Sequence, residues 1–261
     1  MGDVRVTQAG ALLTIALAAP NGINGLTTEV RADLLAALTG PAAADEVRAV
    51  VLRGEGRTFC VGQDLREHAA RLDADPSRAF DVVASEYAPI ATAIRALAKP
   101  VVAGVNGAAA GAGISLALAC DVRVASDAAR FTFAFAGIGL VADTGLHATL
   151  AAAVGAARAR ALLLLDAPLS AEQARGAGLV DVLVPAGDFD AEIEALAGRL
   201  AAGPTRAYAE TKAITQLAEP TGFQDVLDAE AAAQQRLGMT ADHAGAVRAF
   251  LAKEKPDFRG A

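Results

Sequence analysis

The stretch that decides the fold is VNGAAAGAGISL, residues 105–116. It follows the apolar run at residues 101–103 and opens into an apolar segment that reaches Cys120. A strand, a tight glycine turn and a helix, in that order, direct several unpaired backbone N–H groups at one place. Such a place can hold an anion, or an oxygen that becomes anionic during a reaction. Ser115 stands in the first turn of the predicted helix, where an acid–base enzyme could have placed a carboxylate.

Length and composition narrow the class of protein. The 261 residues suffice for one large α/β domain, or for a core domain with an appendage. The net charge of −7 and the lack of a basic arm argue against a nucleic-acid partner. Cys60 and Cys120 are too few for a disulfide framework and lack metal-ligand spacing. The N-terminal residues have no secretory core, and apolar runs end before membrane-spanning length. We therefore expect a soluble, cytoplasmic protein without a membrane partner.

Strands and helices alternate through the first three quarters of the chain. Apolar runs at residues 11–18 and 48–53 are typical of strands, and Thr27 or Thr28 can cap a helix that extends to about Leu38. The chain from Asp188 onward is helical in pattern. Because two strands tend to precede each helix, the pattern favours an α/β spiral of ββα units over a doubly wound sheet, with C-terminal helices.

The charged stretch at residues 66–80 contains Pro76 and Ser77 and is expected to include a mobile surface segment. Just before it lies a second donor segment, FCVGQDL, residues 59–65. Two N–H donors from separate segments that meet on one carbonyl oxygen form an oxyanion hole. Residues 111–113 are small enough that close helix packing is an equally simple interpretation, and turns like the one at Gly62 are common.

Taken together, these motifs resemble the crotonase (enoyl-CoA hydratase/isomerase) superfamily from end to end. The resemblance implies a crotonase-type ββα spiral, with an acyl-CoA-binding core at residues 1–200 and a helical trimerisation region at residues 201–261. It also implies a homotrimer or homohexamer with no metal and no separate cofactor, since coenzyme A belongs to the substrate. The matching landmarks are residues 24–26, 59–65, 99–113, 120–121, 131–145, 170–174 and 178–180, with the closing helices.

The resemblance also implies roles for individual residues. The backbone N–H groups of Gln63 and Ala112 would form the oxyanion hole around the thioester carbonyl of an acyl-CoA. Phe250 and Lys253 would contact the adenine and the 3′-phosphate of coenzyme A, although an ordinary solvated helix end explains them equally well. The residues implied to bind substrate are Asn24, Gly25, Leu26, Val61, Asp64, Leu65, Gly111, Ser115, Phe135, Phe250 and Lys253.

The chain departs from the hydratases of this superfamily at their two glutamates. Those positions fall on Ser115 and Phe135, neither of which is a carboxylate. A serine without a base beside it cannot take a proton at neutral pH, and phenylalanine has no titratable group. The sequence therefore argues against hydration by two glutamates.

Asp143, in GLVADTG at residues 139–145, is the nearest carboxylate downstream. The chain most resembles the ring-1,2-epoxyphenylacetyl-CoA isomerase and Δ3,Δ2-enoyl-CoA isomerase group, in which an aspartate at this position is the proton shuttle. That group usually has proline before the aspartate, where this chain has Ala142. The alternative is that Asp143 caps a helix beginning near Gly145. Burial beside Phe135 is expected to raise the pKa of Asp143.

Two further interpretations of the function stay open on sequence alone. One is an enoyl-CoA hydratase or another lyase in which Asp143 alone activates water, and the other is a catalytically weak acyl-CoA-binding subunit. His147, one helical turn after Asp143, is expected to serve packing rather than catalysis, while His68 and His243 are expected to be solvated.

Overall fold

The structure, a computed structural model, describes residues 3–218 and 223–260, apart from the side chains of Ala218, Phe223, Val226 and Phe250. Short 3-10 turns lie at Pro41–Ala43 and Ala136–Ile138, and a π-helix at Val83–Tyr87 runs into the third α-helix. The strands are β1 (Val4–Ala9), β2 (Leu12–Leu17), β3 (Ala49–Gly54), β4 (Thr58–Cys60), β5 (Val101–Val105), β6 (Ala108–Ala110), β7 (Val122–Ser126), β8 (Arg130–Thr132), β9 (Leu169–Ser170) and β10 (Val182–Val184). The α-helices are α1 (Thr28–Thr39), α2 (Leu65–Ala74), α3 (Ala88–Ala96), α4 (Ala112–Ala119), α5 (Leu146–Val154), α6 (Ala156–Leu165), α7 (Ala171–Gly176), α8 (Phe189–Ala201), α9 (Thr205–Ala218), α10 (Phe223–Gly238) and α11 (Ala241–Ala252).

Two sheets form the core. The larger has the order β1-β2-β3-β5-β7-β10, and all its pairs are parallel except β1 with β2. The smaller has the order β4-β6-β8-β9. Successive strands β3 and β4, β5 and β6, and β7 and β8 each contribute first to the larger sheet and then to the smaller. This repeat confirms the predicted ββα spiral.

The glycine turn of the deciding stretch differs from the prediction in one respect. Gly107 joins two strands, β5 and β6, and the helix α4 begins only after β6 and Gly111. A Cβ atom on Gly107 would overlap the carbonyl oxygen of Arg57. This close approach lets β6 turn away from the larger sheet and pair with β4 in the smaller one.

The apolar run of β3 forms a strand because both faces of the larger sheet are covered at that position. Val50 and Leu52 on β3 face the main core, whereas Val51 between them packs in a second cluster with Phe189 and Ile193 of α8. Burying each such side chain contributes about 1.5–3 kcal/mol. The continuous apolar pattern of β3 is therefore that of a strand buried on both sides.

The structure places helix α2 in the segment predicted to be mobile. Asp64 is its N-cap and accepts hydrogen bonds from the N–H groups of Arg66 and Glu67, at 2.9 and 3.0 Å. Glu67 also accepts from the N–H group and the hydroxyl of Thr28. The prediction missed this helix because its stabilising contacts are hydrogen bonds, and none of its residues is fully buried.

Helix α8 ends at Ala201, and the helices α9, α10 and α11 follow it. Arg48 donates hydrogen bonds to the carbonyl oxygens of Gly203 and Phe258. Asp242 accepts from the N–H groups of Arg259 and Gly260. The division into two domains and the trimeric or hexameric assembly stay predictions. Among the described residues, no helix has the length and apolar character needed to cross a membrane.

Candidate active site

The two predicted donor segments lie against each other. Gly62 has φ +81°, and a Cβ atom on it would lie 2.9 Å from the carbonyl oxygen of Ala110 and 3.1 Å from the nitrogen of Ala112. A Cβ atom on Gly113 would overlap the carbonyl oxygen of Cys60. The small residues therefore do permit close packing, and the two backbones that they bring together are those of the donor segments.

The amides of Gln63 and Ala112 are available to a ligand. Leu26 pairs with Gln63 in a single parallel bridge, in which the N–H of Leu26 donates to the carbonyl oxygen of Gly62 at 2.8 Å. Ala112 is the first residue of α4, so its N–H has no acceptor within the helix. In the described part of the chain, neither the Gln63 nor the Ala112 amide donates to a protein acceptor. Two free donors in adjoining segments can bind one oxygen.

The Asp143 loop adjoins the same helix. The hydroxyl of Ser115 on α4 donates to the backbone carbonyl oxygen of Asp143 at 3.2 Å. The carboxylate of Asp143 accepts a hydrogen bond from the Thr144 hydroxyl at 2.8 Å. Burial raises the pKa of Asp143, and the Thr144 hydrogen bond lowers it in part. Gly145 is the N-cap of α5 without any side-chain capping bond, so the Asp143 side chain does not cap that helix.

Ser115 and Phe135, at the positions where hydratases carry glutamates, supply no titratable group. Ser115 is fully buried and directs its hydroxyl at the backbone of Asp143 and, at 3.4 Å, of Gly111. Its side chain has no exposed surface in this structure, and its contact with substrate stays a prediction. Phe135 is nearly buried, and its carbonyl oxygen accepts from the N–H groups of Ile138 and Leu140.

Comparison with known proteins identifies the family. The model of the enoyl-CoA hydratase/isomerase family matches residues 7–261. The chain belongs to the enoyl-CoA hydratase/isomerase family. A Rhodobacter capsulatus protein named "Probable enoyl-CoA hydratase" is 40% identical over 257 residues, 98% of each chain. The 1,2-epoxyphenylacetyl-CoA isomerase of Escherichia coli is 37% identical over 253 residues, 95% of each chain.

A solved structure agrees with the fold. The crystal structure of an enoyl-CoA hydratase from Polaromonas sp. JS666 has a TM-score of 0.89 and 34% identity, and covers 99% of this chain and 100% of its own. The chain is thus an acyl-CoA enzyme of the crotonase superfamily. The relatives include both hydratases and isomerases by name, so the names leave the choice between the two reactions to the residues of the site.

Two residues that the family resemblance placed against substrate are scaffold residues in this chain. Asn24 is buried, and its side-chain amide donates to the carbonyl oxygens of Glu55 and Thr58, at 3.0 and 2.8 Å. Its side-chain oxygen accepts from the N–H of Ala19 at 2.9 Å. Leu26 is fully buried in the main core. These side chains hold the loop before α1 in place, and the contacts of the two residues with substrate stay predictions.

The remaining predicted contacts are at least partly accessible. Gly25, Val61 and Gly111 are partly exposed, and Leu65 is exposed at the first position of α2. Asp64 is partly exposed, but its carboxylate is committed to the N-cap of α2. Their contacts with substrate stay predictions.

The predicted coenzyme A contacts lie at the end of α11. Lys253 is exposed and has φ +57°, directly after the helix. Phe250 lies within α11, but its side chain lies outside the described residues. The contacts of these two residues with coenzyme A stay predictions.

Sequence reasoning missed Tyr87, at the end of the π-helix. It is fully buried, and its hydroxyl accepts a hydrogen bond from Arg31 at 3.3 Å. Burial raises the pKa of Tyr87, Arg31 lowers it, and the charge of Asp143 raises it, so Tyr87 lies within electrostatic reach of Asp143. The available signal was chemical: a buried tyrosine hydroxyl and a buried arginine both need partners. Arg31 indeed pairs with Glu86 at 2.7 Å.

Two polar atoms near α2 are buried without a partner among the described residues: Nε2 of Gln63 and Nδ1 of His68. The ring of His68 packs against that of Phe80 with centroids 5.1 Å apart. His68 was predicted to be solvated, which is wrong for this nitrogen. Gln63 therefore offers an uncommitted side-chain donor in addition to its backbone amide, which was the only group that the sequence singled out.

The other histidines and the cysteines do not join the site. His243 is exposed, as predicted, and His147 is exposed on α5 rather than packed in the core, which corrects the packing role expected for it. Cys60 and Cys120 are free and buried, as expected of small apolar side chains. Burial raises the pKa of both thiols to about 12, so neither is a nucleophile at neutral pH.

Proposed function

We propose that the chain is an acyl-CoA isomerase, which moves a double bond or opens a ring epoxide in a coenzyme A thioester. The observation that carries this proposal is the position of the Asp143 carboxylate beside the first turn of α4. Asp143 is tied to that helix through Ser115, whereas the two positions at which hydratases carry glutamates hold Ser115 and Phe135. One carboxylate can take up and return one proton, which is the net chemistry of an isomerase.

The oxyanion amides supply the stabilisation of charge. The thioester oxygen of the substrate would accept hydrogen bonds from the N–H groups of Gln63 and Ala112. As a proton leaves the carbon next to the thioester, negative charge moves onto this oxygen. The amides are held in place by the backbone and need no reorganisation, and one is at a helix N-terminus. Each such donor contributes about 2.7–4 kcal/mol to the transition state.

Asp143 would move the proton. For a 3-enoyl-CoA, the carboxylate takes a proton from C2, the C3–C4 double bond shifts to C2–C3, and the same proton is delivered to C4. The carboxylate ends as it began, and no water is added. Burial raises the pKa of Asp143, which makes its carboxylate a stronger base than an exposed aspartate.

A hydratase is the second candidate function, since a relative with 40% identity carries that name. In that case Asp143 alone would activate water and also supply the proton to the α-carbon. A third candidate is an acyl-CoA-binding subunit without turnover of its own. The products of the reaction separate these three functions.

The test is a product screen with the purified chain. We expect a 3-enoyl-CoA to yield its 2-enoyl isomer, and D143N to lose this activity by at least about 1,000-fold while it still binds the thioester. D33N, at an exposed position of α1, is the matched control and keeps wild-type turnover. Mass spectrometry identifies products, and calorimetry measures binding.

The other outcomes exclude the proposal. Efficient conversion of a 2-enoyl-CoA into a 3-hydroxyacyl-CoA would identify a hydratase. Thioester binding without turnover of 3-enoyl, 2-enoyl or phenylacetyl-derived thioesters would identify a binding subunit. Full activity of D143N would exclude Asp143 as the shuttle.

A further inference from the structure

We infer that the hydroxyls of Ser115 and Thr144 are positioning groups that fix the Asp143 carboxylate relative to the oxyanion amides. This inference rests on the proposed function, in which Asp143 carries the proton. We call Ser115, Thr144 and the Asp143 groups that they bond the hydroxyl clamp. One hydroxyl holds the backbone of Asp143 and the other holds its carboxylate.

Thr144 has an unusual backbone conformation. Its φ is +55°, in the left-handed region, where a β-branched side chain crowds the backbone. Of the four non-glycine residues with positive φ in the described ranges, Thr144 alone is β-branched. A strained conformation of this kind persists only where its surroundings enforce it, and such residues cluster at functional sites.

The strain at Thr144 has an identifiable benefit. Glycine would adopt this φ without strain, but it would lack the hydroxyl. That hydroxyl lies 2.8 Å from Oδ1 of Asp143, and Thr144 is itself buried. Among the described residues, Thr144 is the one hydrogen-bond donor to this carboxylate. A single donor on Oδ1 restrains the rotation of the carboxylate and leaves Oδ2 to exchange a proton with substrate.

Ser115 sets the distance between the carboxylate and the oxyanion amides. It lies on α4, every residue of which is buried, and Ala112 is the first residue of that helix. The bond from the Ser115 hydroxyl to the Asp143 carbonyl oxygen therefore ties the shuttle to the same rigid element that supplies one oxyanion amide. Where hydratases of the family have a glutamate, this chain has a serine that links the Asp143 loop to the helix that supplies the Ala112 amide.

Two buried acids near the site, Tyr87 and Cys60, stay neutral in the pH range in which an aspartate titrates. Tyr87 lies within electrostatic reach from the π-helix, and Cys60 lies near Tyr87. Burial raises the pKa of the Tyr87 hydroxyl above its ordinary value and that of the Cys60 thiol to about 12. A change in the acid limb of the pH profile after a substitution at Thr144 therefore reports on Asp143.

The decisive variants are T144V, T144S and T144G. T144V keeps the β-branched shape and removes the hydroxyl. In the wild type, the hydrogen bond from this hydroxyl stabilises the ionised form of the Asp143 carboxylate. We expect the kcat of T144V to fall about 10- to 100-fold with KM within about twofold, because a misplaced reacting group loses rate rather than binding. The acid limb of kcat/KM moves to higher pH, because removal of the donor raises the pKa of Asp143. T144S restores both values.

T144G separates folding from positioning. It removes the hydroxyl together with the strain at φ +55°, so it folds at least as well as T144V and still shows the shifted acid limb. S115A lowers kcat but leaves the acid limb in place, because the Ser115 hydroxyl touches the backbone carbonyl and not the carboxylate.

A measurement without substrate keeps the two proposals distinguishable. The carboxyl carbon of Asp143, assigned by its absence in D143N, is titrated by NMR in the wild type, T144V and T144S. The clamp predicts a higher pKa in T144V and a wild-type value in T144S, whatever reaction the enzyme catalyses. Unchanged titration and unchanged kcat in T144V would overturn the clamp. Activity of D143N would overturn the proposed function instead.

Discussion

The two halves of the site are held by different means. The oxyanion half is fixed by backbone: Gly62 and Gly113 let two segments approach until their main chains touch. The carboxylate half is fixed by side chains, since Ser115 and Thr144 hold Asp143 through hydroxyls. Backbone packing tolerates almost no change of volume, whereas a hydroxyl can be removed without moving the chain. The first half is therefore expected to fail abruptly on substitution and the second gradually.

Among the substitutions that test how the two halves are held, Gly113→Ala is expected to have the largest effect. The added methyl group overlaps the carbonyl oxygen of Cys60, a backbone atom that cannot rotate away. One donor segment must shift, so we expect kcat to fall about 1,000-fold and the free energy of unfolding to fall by about 2–3 kcal/mol. Product assays and urea unfolding measure the two effects.

Gly198→Ala in α8 is the matched control, because a methyl group there meets open space. It is expected to stabilise the protein by about 0.5–1 kcal/mol without loss of activity. Wild-type kcat in Gly113→Ala would refute the view that backbone contact positions the oxyanion amides.

An intermediate effect is expected for Gly62→Ala. Its methyl group would lie 2.9 Å from the Ala110 oxygen and 3.1 Å from the Ala112 nitrogen, so a shift of a few tenths of an ångström relieves it, although φ +81° adds strain. We expect kcat to fall about 100-fold, with KM less affected. Gly10→Ala, with φ +59° and open space, carries the strain alone and is expected to leave kcat unchanged. Equal losses in both variants would assign the effect to strain rather than to contact.

The smallest effect is one of stability, and it concerns the carboxylate half. Because burial raises the pKa of Asp143, the folded protein binds this proton more tightly than the unfolded chain. Its contribution to stability is therefore complete below the unfolded pKa of about 3.9 and is lost as pH rises through the higher folded pKa. We expect D143N to melt at a higher temperature than the wild type at pH 7, with the difference shrinking below about pH 4. A lower melting temperature for D143N at pH 7, or an equal gain in D33N, would contradict this.

The same comparison explains what could be predicted from the sequence. Strand β3 and the Thr27 cap of α1 follow from local patterns, namely an apolar run and a capping residue. The contact of the donor segments was implied by the family resemblance, since their glycines alone also fit ordinary packing and turns. The roles of Asn24 and Tyr87 do not follow from local patterns, because their partners are distant in the chain: Asn24 bonds Thr58, 34 positions away, and Tyr87 bonds Arg31, 56 positions away. A side chain that could touch substrate and one that holds a distant loop have the same sequence signature. Asp143 was recognised through the family resemblance, but Thr144 was not singled out, since its backbone angle is visible only in the structure.

The bond between Arg48 and the carbonyl oxygen of Phe258 spans 210 positions. At a translation rate of about 5–20 residues per second, Arg48 is made about 10–40 s before Phe258. Until then the guanidinium group at the start of β3 is without this acceptor. The contact between the start of β3, in the middle of the larger sheet, and the C-terminal segment is therefore completed only late in synthesis.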